Sequence, residues 1–136
     1  MADGVDPELR VKHLEMIQAV IARIAGYSAT VKNICVTAVT ALAGVAIAND
    51  ISGLGWLALV LVLIFALVDA QYLRIERRFR TLFDQARAGD WKAMPSFSLD
   101  IGSVASPPLV ESALSWSVLT FYLPLAVVSL IVERMF

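Results

Sequence analysis

The sequence is short of the residues from which most active sites are built. It has one histidine, His13, and one cysteine, Cys35, in 136 residues. A lone cysteine forms no internal disulfide, and one cysteine with one histidine does not supply a metal-ligand set. Neither GxxxxGK nor GxGxxG occurs, so no glycine loop for cradling phosphates is expected. No Ser–His–Asp set or pair of carboxylates recurs within one compartment of the chain. The reading is of a protein that is not an enzyme, with no catalytic residue, no metal and no cofactor. Cys35 reads as a small apolar helix residue, with an intermolecular disulfide or a lipid attachment as the alternative. Charge is also scarce, at 17% of residues, where soluble domains carry about 25%. The net charge of -1 points to no partner by itself. Residues 1–12, MADGVDPELRVK, are polar and lead into no short apolar core with a cleavage site, so no secretory signal is expected.

What the chain has is apolar length. Hydrophobic residues make up 59% of it, concentrated in blocks long enough to cross a bilayer. The expected fold is an all-α membrane protein of one domain, 1–136, with three transmembrane helices. The first two form a long antiparallel hairpin extended into the cytosol.

Residues 7–31 read as a cytosolic amphipathic helix. Asp6 is a plausible N-cap, Pro7 suits the first helical position and Glu8 suits the positive end of the helix dipole. Leu14, Ile17, Ile21, Ile24, Ser28 and Val31 recur at alternating spacings of three and four, a stripe that packs on another helix. Lys12, Glu15, Gln18 and Arg23 take the opposite side. A helix lying on the bilayer surface is the alternative. The first span, 33–49 (NICVTAVTALAGVAIAN), continues this helix. Its many small residues suit close helix packing in lipid, with Thr37, Thr40 and Gly44 as the expected contacts.

NDISG, 49–53, is a turn. The second span, 54–73, is rich in Leu, Val, Ile and Phe, as a lipid-facing helix is. A cytosolic extension over 74–88 repeats Tyr72, Ile75, Phe79, Leu82 and Ala86, which pack on the stripe of residues 14–28. The linker 89–111 is broken by glycine and proline. Trp91, Phe97 and Ile101 within it are expected at the headgroup level. The third span covers 112–132, and Pro124 in its middle should kink it or leave a backbone carbonyl free.

Positive charge follows one side of the membrane. Ten of the eleven Lys and Arg residues precede the first span or lie between the second and third, and only Arg134 lies beyond. By the positive-inside rule the N-terminus is cytoplasmic, the 49–53 turn external, 74–111 cytoplasmic and the C-terminus external.

Two groups of charge invite function. Asp69 sits in a greasy run, where a charged side chain costs at least ~2.5–3.5 kcal/mol at the helix centre and so usually has a partner. Folding the hairpin at residues 50–51 puts Lys32 at the same depth, about 27 Å from the apex at 1.5 Å per residue. The two are expected to pair, with register-fixing as the plain role and gating as the alternative. Arg74, Arg77 and Arg78 share one helix face, flanked by Arg80 and Arg87. Anchoring on anionic lipid explains them. So does an anion or phosphate site, because guanidinium forks match phosphate oxygens. Such a site could hold a nucleotide or short single strand, with Tyr72 and Phe79 near enough for base stacking. His13 is expected as a polar helix-surface or interface residue, and Glu15 and Glu76 as ion-pair partners of nearby arginines.

The segments HLEMIQAVIARIA with Ser28 and Lys32, VTAVTAL, DAQYLRIERRFRTLFDQAR and SWSVLTFY resemble a family of small three-span bacterial membrane proteins of antiphage defence operons, the Hailong-type channel effectors. The resemblance covers most of 12–87 and then 115–122. It implies a homo-oligomeric ion channel of the inner membrane, with a tetramer as one stoichiometry. The channel would be held inactive by a short single-stranded DNA or nucleotide made by a partner nucleotidyltransferase. Release of that ligand would depolarise the membrane and arrest growth. The competing reading is a non-conducting adaptor that anchors a cytosolic partner through its helical stalk.

Overall fold

A computed structural model describes residues 6–135. These residues form four helices and no strand: α1 (Pro7–Asn49), α2 (Leu54–Ala88), α3 (Leu109–Ala113) and α4 (Trp116–Arg134). Helices α1, α2 and α4 are each long and apolar enough to cross a membrane.

Helix α1 starts where capping chemistry puts it. The Asp6 carboxylate accepts from the Glu8 N–H at 3.0 Å, and Pro7 occupies the first turn. The helix runs unbroken for 43 residues and ends where Asp50 turns left-handed, at φ 50°. Gly53 is also left-handed, at φ 87°, a conformation that glycine adopts without steric penalty. The chain then enters α2.

Contacts pair early residues of α1 with late residues of α2: Arg10 with Ala86, Tyr27 with Tyr72, Lys32 with Asp69. The two helices therefore run in opposite senses. The stripe Leu14, Ile17, Ile21, Ile24, Ser28 and Val31 is buried or half-buried, and so are Tyr72, Ile75, Phe79, Leu82 and Ala86 across from it. Lys12, Glu15, Gln18 and Arg23 are exposed. Further along, Cys35, Val39, Ala58, Val62, Val118 and Tyr122 form the core where α1, α2 and α4 meet.

One expectation changes and two others gain detail. Thr37, Thr40 and Gly44 are not contacts within the protomer. They are exposed, and nothing lies within 4 Å of where a Cβ on Gly44 would be. The face toward α2 and α4 is instead Cys35, Val39 and Ala46, on the opposite side of the helix. Next, the segment 112–132 is not one helix. Pro107 and Pro108 open the short α3, Leu114 ends it, and Ser115 is extended (ψ 149°) before α4 begins. Helix α4 then continues through Pro124, which removes one backbone donor without ending the helix. Lastly, the linker has a definite place in the fold. It packs on the stalk made by α1 and α2, as described below.

At the far end, α4 touches the start of α2. The Glu133 carboxylate accepts from the N–H groups of Gly53 (3.1 Å) and Trp56 (3.4 Å), an acid at a helix N-terminus. Gly55 makes this approach feasible: a Cβ there would stand 2.6 Å from both Glu133 Cβ and the Ser129 carbonyl oxygen.

Candidate functional site

The first charged cluster lies between the helices. Lys32 Nζ stands 2.7 Å from Asp69 Oδ2. Ser28, one turn before Lys32 on α1, donates to Asp69 Oδ1 and accepts from Lys32 Nζ at 3.0 Å. The 28/32 spacing is what aims both side chains at one carboxylate. Asp69 is 1% exposed and Lys32 19%, so the acid is sealed while the base reaches outward. Helix α4 closes the site: the Lys32 ammonium sits 5.8 Å from the centre of the Phe121 ring. Beside Phe121, Tyr122 is buried, with its hydroxyl unpartnered. A buried carboxylate is tolerated only with such partners. The site can therefore hold three helices in register, and its integrity depends on the charge of Lys32.

The second cluster is the row of arginines on the C-terminal half of α2. The structure does not bring them together into a shared cradle; each has its own protein acceptor. Arg74 Nε donates to the Pro107 carbonyl at 2.7 Å. Arg77 pairs with Glu111 at 3.0 Å. Arg78 donates to the Ile101 carbonyl. Arg80 pairs with Glu76 at 2.6 Å and is largely exposed, and Arg87 stands 3.6 Å from Asp84. Glu15, by contrast, has no ion-pair partner among the described residues.

Residues outside the expected set complete this region. Arg10, on α1, is buried and reaches three carbonyls, those of Ala86 (3.0 Å), Asp90 (2.6 Å) and Ala93 (3.4 Å). It also lies 5.8 Å from the centre of the Trp91 ring. His13 is buried, donates from Nε2 to the Ser98 carbonyl at 3.0 Å and packs on Phe97. Arg10, His13, Asp90 and Met94 help line an open hollow of about 340 Å³. Arg10, Arg74 and Arg78, then, bind the linker, whereas Arg77 pairs with α3 and Arg80 and Arg87 pair within α2. Sequence reasoning missed this because the acceptors are backbone carbonyls, which carry no residue signature. One signal was legible: Arg10 and His13 lie on the apolar side of α1 with Leu14 and Ile17, where a solvated charge has no place.

No protein-family model matches the chain, and neither the curated proteins nor the solved structures contain a match. No group of His, Cys, Asp and Glu suited to a metal occurs among the described residues.

Proposed function

We propose that the protein is a homo-oligomeric membrane channel whose α1 helices face a shared axis. The observation that carries this reading is the outward face of α1. Thr30, Asn33, Thr37, Thr40 and Gly44 are all exposed, along the side opposite the Cys35–Val39–Ala46 core. The Thr30 and Thr37 hydroxyls bond back to carbonyls one turn earlier, but the Asn33 carboxamide has no such bond among the described residues. In lipid an unpaired carboxamide is costly. A second copy, or water along an axis, removes that cost. The small side chains allow backbones to approach.

In this reading α1 and α2 form a transmembrane hairpin with a cytosolic stalk. The N-terminus is cytoplasmic and the C-terminus external, following the charge distribution. The membrane is the bacterial inner membrane. An anionic nucleotide or oligonucleotide, received at Arg74, Arg77, Arg78 and Arg80, regulates the pore. Its release depolarises the membrane and arrests growth, in the service of antiphage defence. The ligand and the defence role rest on the sequence resemblance alone. The test of conduction is Asn33→Leu with Thr37→Leu in full-length protein reconstituted in bilayers. Conductance should fall at least several-fold while assembly persists; unchanged conductance would reject α1 as the lining helix.

A second reading has one observation in its favour. Because the stalk arginines already have protein acceptors, a non-conducting adaptor that presents a rigid stalk to a cytosolic partner needs no ligand site. Bilayers that stay silent would select it.

A further inference from the structure

The segment 89–108 connects α2 to α3 without a helix and lies back along the stalk. Little of its own backbone holds it there. Its internal backbone bonds are Ala93 N–H to Asp90 and Val104 N–H to Ile101. Side-chain oxygens of Asp90, Ser96, Ser98 and Asp100 cap short turns two residues on. Pro95 and Val104 are buried. The rest of the attachment is donor to carbonyl, from Arg10 at the start, His13 at Ser98, Arg78 at Ile101 and Arg74 at Pro107, with ring contacts of Arg10 on Trp91 and His13 on Phe97. Segments with few backbone bonds of their own are the first to open.

Two of these attachments are incomplete. Arg74 gives only Nε to the strap, and Arg78 has its Nε buried with no acceptor. A buried guanidinium N–H without a partner is unfavourable. Anionic oxygens bond guanidinium about twice as strongly as neutral carbonyls do and can take two N–H groups at once.

We infer that the 89–108 strap is a displaceable cover over the ligand site: carbonyls of Ile101 and Pro107 hold Arg78 and Arg74 until a phosphate-bearing ligand displaces them. The inference rests on the reading that the stalk arginines receive an anionic ligand. It adds that the unliganded site is covered and that ligand binding moves the strap. Pro107 and Pro108 lead straight into α3, so a displaced strap pulls on the entry to α4. Ligand occupancy is thereby coupled to the third span. The phosphate could belong to a lipid headgroup or to a soluble oligonucleotide.

Arg10 and His13 hold the strap but stand outside the ligand set, so they can be changed without touching it. The experiment uses the full chain in nanodiscs of phosphatidylcholine, with fluorescent oligothymidylate as probe, and measures binding and amide exchange of residues 96–107. Arg10→Gln with His13→Gln should raise exchange there and tighten oligothymidylate binding about tenfold, the scale of one or two lost polar attachments. Gly89→Ala is the second variant: a Cβ there collides with Arg10 Nη2 and should loosen the same end of the strap while leaving His13 in place. In wild type, adding the probe should raise exchange of 96–107. If headgroups are the ligand, nanodiscs of phosphatidylglycerol should do so without the probe. Binding that is no tighter in either variant, binding that leaves the strap protected, or no response to either phosphate source overturns the inference. Conductance is not read in this experiment, so a silent pore would count against the channel and not against the cover.

Discussion

Lys32 and Asp69 show how single residues carry the architecture. Asp69 is sealed from solvent and Lys32 is its cation. Removing one partner of a buried pair leaves an uncompensated charge, which costs about 3–5 kcal/mol, whereas replacing both with apolar residues is often neutral. Lys32→Met should therefore lower thermal stability in detergent sharply, and Lys32→Met with Asp69→Leu should recover most of the loss. Equal stability of the single variant and wild type would show that the pair does no structural work. Gly55 gives a second case. Adding a methyl group where Glu133 and the Ser129 carbonyl already crowd should cost about 1–3 kcal/mol, read as a lower melting temperature for Gly55→Ala. The depth of Lys32 and Asp69 could be read from the sequence because both lie equally far from an identifiable turn. The Gly55–Glu133 contact could not: the charge rule puts the C-terminus beside the 49–53 turn, but it does not say which residues of the two helices meet.

At the scale of elements, helix periodicity was informative and the linker was not. The stripe from Leu14 to Ile24 and its counterpart through Ile75 and Phe79 occupy the α1–α2 seam, since spacing of three and four fixes a helix face whatever packs on it. That spacing does not say what Thr37, Thr40 and Gly44 contact. Small residues permit close packing but do not choose between a helix of the same protomer and one of a neighbour. Hydropathy conceals the break at Ser115, since Leu114 and Trp116 on either side are both apolar. The arginine row is legible as charge, yet its acceptors are carbonyls of a segment with no periodicity. Element-scale loosening is testable at the stalk: Ile17→Ala should cost about 2–5 kcal/mol, because Ile17 is fully buried. Hydrogen exchange should rise along both α1 and α2 above the membrane, with the α2–α4 contact unchanged.

For the whole molecule, charge and apolarity are arranged along one axis. The arginine row, Arg10 and Lys32 lie toward one end, and Glu133 with the 50–53 turn lies at the other. Membrane orientation follows if the basic end is cytoplasmic. In a Cys35→Ser background, a membrane-impermeant thiol reagent applied from outside should label Ser52→Cys and spare Ser98→Cys; the reverse pattern would invert the topology. The small and polar outward face of α1 fits a second copy, with Thr37, Thr40 and Gly44 exposed along the apolar part of the helix. Planar-bilayer recording of the purified full-length protein tests this most directly. The account predicts discrete conductance steps, reduced by Asn33→Leu with Thr37→Leu, and a bilayer that stays silent with properly assembled protein would contradict it.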